Sequence, residues 1–276
     1  MQIILASAKI MNDRVKSIPD ISLSMPHFQN EAEGFARDMA QYSVETIAEM
    51  LGCSQQIAAQ NRLRYMRFFD DAAKLPAILA YHGQAYKHLK AETLTVDDLD
   101  VAQGKLWITS FLYGLLRPLD AILPYRMEGY VELPSGEGQN MFAFWKRRLT
   151  DILIDAVKSD DGVLIHLATE EYQHLFDWQR VRKEVRIVQP LFYVRKGNDL
   201  KMQAVWAKTC RGAMTRFIIE NSIDKPEDIC GFSYEGFSYE PKLGEPDYPH
   251  FIKKKLYEKG INRRAYAYGG IRACLQ

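Results

Sequence analysis

The sequence predicts a mixed α/β, α+β-like fold in a single compact domain with a mixed sheet, and three observations support this. Short apolar runs over 2–6 and 163–167 predict buried strands, and apolar residues at helical spacing over 141–157 predict an amphipathic helix. Strands and helices alternate irregularly, without a repeating strand-helix-strand unit. No linker rich in proline, glycine or serine divides the 276 residues.

The composition excludes two broad classes of protein. Lys and Arg number 36 against 35 Asp and Glu, so the chain is not uniformly basic, although charge can still segregate to one face. A hydrophobic share of 47% excludes a mainly disordered chain. No apolar run reaches the roughly 18 residues that span a membrane. The four cysteines are widely separated, which favours the reducing cytoplasm over a disulfide framework.

The segment after the first strand predicts a helical N-terminal region. Apolar spacing over 30–50 predicts a helix that restarts near Ser43. Gly52 suits the left-handed position that ends a helix, and Ser54 can cap the helix that follows. Together these features predict a helical hairpin over about residues 43–69.

The rest of the chain predicts short strands between helices. Thr95 and Asp98 have the spacing of a capping box, and Arg117 before Pro118 predicts the end of a helix. A tandem Gly-Phe-Ser-Tyr-Glu repeat over 231–240 predicts strands with a bulge or bend at Gly236. The other predicted strands cover 106–109, 127–133, 185–194 and 200–206, and a further helix covers 209–219.

The helical hairpin has two interpretations, which the sequence leaves open. A glycine-containing turn before a helix N-terminus can present backbone N–H groups to DNA phosphates, as helix-hairpin-helix elements do. Nearby cations and amides would add phosphate contacts without reading the base sequence. The alternative is a hairpin that only packs against the core. The candidate DNA-binding residues are Gly52, Ser54, Gln55, Arg62, Arg64 and Arg67.

Two further segments predict either an anion-binding cleft or a structural network of ion pairs. Charged residues in the largely apolar segment 110–128 should be paired or face a cleft, because unpaired burial is costly. A predicted strand-to-helix junction near Lys208 would place cations at a helix N-terminus. The candidate cleft residues are Lys9, Tyr113, Arg117, Arg126, Glu128, Lys208 and Arg211.

A thiol and a histidine cluster have less specific signals. Cys210 lies between two cations, so it is either a reactive thiol of lowered pKa or a buried inert one. His166, Glu170, Glu171 and His174 are residue types that bind metal ions. They fall on a predicted strand and a predicted helix, which need not bring the four side chains to one point. The prediction is therefore that the protein has no metal site and no cofactor.

Several motifs in order resemble the YaaA family of bacterial peroxide-stress proteins. The most specific is Tyr-Gly-Leu-Leu-Arg-Pro-Leu-Asp over 113–120, and the similarity extends from Met1 to about Phe251. The chain departs from the family pattern at Phe111 and His166, where glycine and asparagine are usual, and Cys210 is outside that pattern. The other motifs are Ile-Leu-Ala-Ser-Ala-Lys at 4–9, Ala-Glu-Thr at 91–93, Pro-Tyr-Arg at 124–126, Phe-Trp at 144–145, Leu-Ala-Thr-Glu-Glu-Tyr at 167–172, Lys208 with Arg-Gly at 211–212, and Arg-Phe-Ile-Ile at 216–219.

The resemblance implies a cytoplasmic protein that protects cells from hydrogen peroxide and limits iron-dependent oxidative damage. It also implies an unusual α/β fold with a positively charged cleft and a helix-hairpin-helix-like element that binds double-stranded DNA. Residues 1–252 would form the family domain. A basic extension over 253–276 would follow as a DNA-contacting arm or a solvated tail.

Two main functional hypotheses follow. The first is a sequence-nonspecific DNA-binding protein that contacts phosphates through the hairpin, Lys208, Arg211 and the basic cluster at 253–264. The second is an enzyme acting on a phosphorylated or carboxylated small molecule, with Tyr113 or a carboxylate moving a proton. Direct iron binding through the histidine cluster is a third hypothesis. The sequence leaves open whether the protein is an enzyme, and it predicts no membrane partner.

Overall fold

Short strands and helices cover the part of the chain that the structure, a computed structural model, describes: residues 1–13, 21–70, 74–197 and 199–253. The strands are β1 (Gln2–Ala6), β2 (Leu75–Pro76), β3 (Leu106–Ser110), β4 (Gly114–Leu116), β5 (Ala121–Ile122), β6 (Val163–Leu167), β7 (Arg186–Val188), β8 (Leu191–Lys196), β9 (Asp199–Lys201), β10 (Ser233–Tyr234), β11 (Phe237–Glu245) and β12 (Tyr248–Lys253). The helices are α1 (Gln29–Gln41), α2 (Val44–Leu51), α3 (Gln55–Met66), α4 (Ala77–Ala80), α5 (Gln84–Leu89), α6 (Val96–Lys105), α7 (Met141–Ser159), α8 (Glu170–Gln173), α9 (Trp178–Glu184) and α10 (Ala204–Glu220).

A mainly parallel sheet in the order β4-β3-β1-β6-β7 forms the centre of the fold. Strands β3, β1, β6 and β7 are parallel, and β4 pairs antiparallel at the edge. The continuous apolar run in β1 fits this position, because a central parallel strand is covered on both faces. The chain leaves β1 toward β3 and later reaches β6 on the other side. This reversal opens a crevice at the carboxyl ends of β1 and β6.

The second sheet has the order β10-β11-β12-β8-β9 and packs near α10. The tandem pentapeptide repeat forms the β10–β11 hairpin. Its turn residues Glu235 and Gly236 have φ values of 49° and 81°. Positive φ at both positions is typical of a tight hairpin turn. Gly236 therefore forms the turn itself and not a bulge within a strand.

The N-terminal helices form as predicted. Ser43 caps α2 by accepting the Thr46 N–H, and Gly52 ends that helix with φ 55° and ψ 46°. Ser54 then caps α3 by accepting the Ile57 N–H. The capping box of Thr95 and Asp98 is also present at the start of α6, so these local signals are confirmed. The mixed α/β class and the single compact domain are confirmed as well.

Three predicted elements are corrected by the structure. The segment before Pro118 is strand β4 and not a helix, because Ser110 Oγ accepts the N–H groups of Leu112 and Tyr113 and tightens the turn after β3. Residues 127–133 form no regular strand, only an isolated bridge at Glu132. Strand β9 ends at Lys201, so Trp206 is already helical.

The described residues include no helix long and apolar enough to cross a membrane. The predicted basic extension at 253–276 lies, apart from Lys253, outside the described residues.

Candidate anion-binding cleft

A cavity of about 300 Å³ opens at the carboxyl ends of β1 and β6. The residues that follow β1 form one wall, the residues that follow β6 form a second, and helices α5 and α10 close the remaining side. Parallel sheets bind ligands at this edge, where strand order reverses. The lining residues used below are Ser7, Ala8, Lys9, Gln84, Ala85, Tyr86, Leu167, Thr169, Glu171, Tyr172, Lys208 and Arg211.

Two cations of α10 face this cavity. Lys208 and Arg211 are three residues apart, so they share one helix face. Lys208 is exposed and Arg211 is half-buried, and neither forms an ion pair with any described residue. Burial lowers the pKa of the Arg211 guanidinium, and the nearby Glu170 carboxylate opposes that change. A bound anion would compensate for the partial desolvation of Arg211.

A charged triad stands beside the cavity. Lys9 Nζ lies 2.7 Å from Glu128 Oε2. Arg126 Nη2 lies 3.0 Å from Glu128 Oε1, an ion pair that lacks hydrogen-bond geometry. Glu128 is mostly buried, whereas the side chain of Lys9 is 58% exposed. One carboxylate therefore balances two cations, which leaves the triad with a net positive charge.

Ser7 and Tyr172 bring hydroxyl groups to the cleft, and Tyr125 belongs to a buried hydroxyl network outside its lining. Ser7 Oγ and Tyr172 OH are 2.9 Å apart, and Tyr125 OH lies 2.6 Å from Ser110 Oγ and 2.7 Å from Tyr81 OH. Burial raises the pKa of Tyr125 to about 12, so its hydroxyl is protonated at neutral pH. Burial also raises the pKa of Tyr172. Tyr172 can orient a ligand by a hydrogen bond, but a protonated tyrosine is a poor general base.

The structure does not bring Tyr113 to the cleft. This side chain is buried in the core, where its ring packs on Phe68 and Tyr125 and its hydroxyl accepts the Leu123 N–H. Burial raises its pKa. The prediction that Tyr113 is a cleft residue is therefore wrong, and Tyr113 cannot move a proton there.

Arg117 also lies away from the cleft, at the opposite edge of the sheet. Its guanidinium is 3.3 Å from the ring centroid of Trp107, and Nη1 donates to Gln2 Oε1 and Leu106 O. Gln2 and Leu106 begin β1 and β3, so this edge holds the amino ends of the strands. Burial lowers the pKa of Arg117 to about 10, partly offset by Asp120. Arg117 and Asp120 therefore have structural partners within the protein, but neither forms an ion pair with a described residue.

The cations of the helical hairpin are divided between internal and exposed positions. Arg62 Nε donates to the Tyr42 carbonyl at 2.9 Å, which ties α3 to the end of α1. Arg64 forms an ion pair with Asp13 at 2.6 Å. Arg67 is exposed at the end of α3. The turn residues Gly52, Ser54 and Gln55 are exposed too.

The hairpin is anchored to the segment beside the cleft. The buried Tyr65 of α3 donates its hydroxyl to the Arg126 carbonyl, close to the triad of Lys9, Arg126 and Glu128. The predicted hairpin and the predicted cleft are therefore connected through one hydrogen bond. Sequence spacing alone did not indicate this connection.

The histidine cluster does not converge. His166 is buried in β6 beside Trp178, and burial lowers its pKa to about 3. His174 is exposed and packs on Phe142. Within the described ranges, no group of three His, Cys, Asp or Glu side chains is placed to hold a metal ion. These positions give no support to the direct iron-binding hypothesis.

Cys210 is a buried thiol. Burial raises its pKa to about 12, although Lys253 opposes this change. The inert interpretation is therefore the one that the structure supports.

Sequence reasoning missed Ser7, Gln84, Thr169 and Tyr172 as cleft residues. Ser7, Thr169 and Tyr172 all follow the carboxyl end of a predicted buried strand. This position could have indicated that they line the cleft, because ligands bind at the carboxyl ends of parallel strands. Gln84 had no such signal, because α5 reaches the cleft only through its packing against α10.

The fold and this cleft define an α/β protein with an open cavity at the strand-order reversal. The profile of a family described as "Peroxide stress protein YaaA" matches residues 1–243. The chain belongs to this family. It is 46% identical over 241 residues to a UPF0246 protein of Phocaeicola vulgatus, a match covering 87% of this chain and 94% of that one. It is also 43% identical over 246 residues to a UPF0246 protein of Bacteroides thetaiotaomicron, covering 89% and 95%.

Proposed function

We propose that this member of the peroxide stress family binds the phosphate backbone of double-stranded DNA. The observation that carries the proposal is the pair of cations Lys208 and Arg211, which face an open cleft and form no ion pair with the described residues. Phosphate contacts of this kind give affinity with little dependence on base sequence.

The helical hairpin supports the same proposal. The N-terminus of α3 is exposed, and its first turn has no acidic residue that would repel a phosphate. Gln55 lies at this N-terminus, and Arg67 is an exposed cation at the other end of the helix. Arg62 and Arg64 have internal partners, so in this proposal they position the hairpin and do not contact DNA.

In the cell, the proposed role is protection of DNA in the cytoplasm during peroxide stress, which limits iron-dependent oxidative damage. The proposal requires no metal site, cofactor or membrane contact. Binding at the backbone would place the protein on any DNA sequence, as a general protective role requires.

Fluorescence anisotropy with a labelled duplex of random sequence tests this proposal. Charge reversal at both Lys208→Glu and Arg211→Glu should weaken binding and reduce the slope of log affinity against log salt by about 2 in magnitude. Lys183→Glu is the matched control, because this exposed residue lies in the last turn of α9, at the amino edge of the sheet. An affinity that is unaffected by the double charge reversal, or by a change from about 50 to 200 mM salt, would contradict the proposal.

The cavity favours a second candidate function, binding or conversion of a small anionic molecule. A volume of about 300 Å³ is at the lower end of the range for small-molecule sites. A phosphorylated or carboxylated compound would place its anion on Lys208 and Arg211. Thermal unfolding with added phosphate tests this, because a ligand specific to the folded state raises the midpoint. The double charge-reversed variant should lose that rise.

A further inference from the structure

The cleft has two chemically different parts. Lys208 and Arg211 provide positive charge on the α10 side. Behind them, the cavity is lined mainly by apolar and aromatic groups, including Ala8, Tyr86 and Leu167. A purely electrostatic surface for a DNA backbone needs no such recess, so the recess requires its own explanation.

The cationic part suits one phosphate group. Two cations on adjacent turns of one helix face can contact different oxygens of the same anion, and a guanidinium can bind two oxygens at once. The half-buried position of Arg211 strengthens such a contact, because water screens it less.

The recess suits a planar heteroaromatic ring. Gln84 Nε2 donates to Thr209 Oγ1 at 2.8 Å, and Gln84 Oε1 accepts no hydrogen bond from the described residues. Thr169 Oγ1 is buried and has no partner within the described ranges. An amide acceptor and a hydroxyl group on apolar walls are the kinds of group that bind the edge of a nucleobase.

We propose that this cleft holds a single nucleotide unit, with its phosphate on Lys208 and Arg211 and its base in the recess. This inference rests on the proposed binding of DNA phosphate and specifies what the cleft would select. The unit would come either from a free mononucleotide or from an unpaired nucleotide in DNA. A base that is already unpaired costs less energy to move out of the stack, so damaged or mismatched duplexes would be favoured.

Binding measurements on the full chain separate the two sources. The first arm compares the four deoxynucleoside 5′-monophosphates with deoxyribose 5-phosphate, which has no base. The second arm compares a fully paired duplex with a duplex of equal length that contains one unpaired nucleotide. Placement of the base in the recess should favour the ligand with the base, or with the unpaired nucleotide, by about tenfold or more.

Ala85→Leu narrows the recess and leaves both cations unchanged. This variant should lose the preference for a base or an unpaired nucleotide, whereas Ala143→Leu, at an exposed position of α7, should keep that preference. Thr169→Val removes the buried hydroxyl and keeps a side chain of similar size. This variant replaces Ala85→Leu in the experiment if Ala85→Leu fails to fold.

The outcomes distinguish this inference from the proposed function. If the paired duplex binds but neither a base nor an unpaired nucleotide adds affinity, the inference is overturned. The DNA proposal is not affected by that result. Base-dependent binding of mononucleotides without binding of the paired duplex would support the inference and contradict the DNA proposal. A preference that persists in both recess variants would also overturn the inference.

Discussion

The Nζ atom of Lys9 and the Oε2 atom of Glu128 lie 2.7 Å apart, although the residues are 119 positions apart in the chain. This ion pair joins the segment after β1 to the segment that α3 contacts through Tyr65. Glu128 also neutralises Arg126, so this one carboxylate limits the positive charge available beside the cleft.

If the chain binds DNA as proposed, replacing Glu128 by glutamine should therefore increase the affinity. Glu128→Gln removes the negative charge that pairs with Lys9 and Arg126, and the freed cations can contact phosphate. We expect the slope of log affinity against log salt to become steeper by about 1. Glu137→Gln is the matched control, because Glu137 pairs with Arg147 and Arg148 of α7. Unchanged or weaker binding by Glu128→Gln would show that the triad does not face the DNA.

Gly52 should stabilise the turn between α2 and α3 because of its backbone conformation, and not because a side chain there would lack space. It has φ 55°, and a Cβ added there would contact no atom within 4 Å. Gly52→Ala should lower the free energy of unfolding by about 1 kcal/mol, because left-handed backbone is unfavourable for alanine. The control Gly104→Ala, at an open position in α6, should raise stability by about 0.5–1 kcal/mol. Urea unfolding measures both, and a stabilising Gly52→Ala would contradict this account.

The buried His166 should make the fold sensitive to acid. Burial lowers its pKa to about 3 in the folded state, against about 6.5 when unfolded. Between these values the unfolded chain binds more protons, so stability is full above pH 6.5 and falls as pH decreases toward 3. The loss approaches about 1.4 kcal/mol per pH unit.

His166→Asn removes this titration. Urea midpoints at pH 7 and pH 5 should show a smaller loss in this variant than in the wild type, since the other titrating groups are shared. Equal losses in both proteins would mean that His166 does not contribute to acid sensitivity.

Cys210 should not react with peroxide in the folded protein. Its thiol is buried and its pKa is raised to about 12, so the reactive thiolate is scarce at neutral pH. Mass spectrometry after brief treatment with hydrogen peroxide or iodoacetamide should find Cys210 unmodified. The half-buried Cys53 should be modified before Cys210, and unfolding in urea should make both accessible. Modification of Cys210 at the rate of Cys53 would contradict its burial and would reopen a thiol-based mechanism.

Local signals in the sequence were sufficient for the elements that local interactions determine. Ser43, Gly52 and Ser54 define the hairpin turn through their own hydrogen bonds and backbone angles. The apolar run of β1 and the apolar stripe of α7 can likewise each be recognised within a single segment of the sequence. These elements were predicted with nearly the correct bounds.

The cleft was only partly predictable, because strand order decides which residues meet. Strand β4 is antiparallel to β3, so the chain reverses and carries Arg117 to the amino edge of the sheet, away from Lys9. Arg62 and Arg64 likewise find distant partners, Tyr42 and Asp13, that no spacing indicates. The residue types thus indicated a candidate anion site, but the strand order of the fold determines which of these residues lie together.

Gly212 should be essential for the contact between α10 and α5 that shapes the cleft. A Cβ added at Gly212 would lie 1.8 Å from the backbone oxygen of Ala85, and a backbone atom cannot rotate away as a side chain can. Gly212→Ala should therefore displace α5, with a loss of about 1–3 kcal/mol or more in the free energy of unfolding.

The same displacement should affect ligand binding, because Gln84 and Ala85 of α5 line the cavity beside Arg211. We expect Gly212→Ala to weaken the proposed DNA binding under conditions where the variant is still folded, as shown by circular dichroism. Gly104→Ala, which has space for its Cβ in α6, provides the control. A Gly212→Ala variant with wild-type stability and affinity would show that α5 and α10 can separate without changing the cleft.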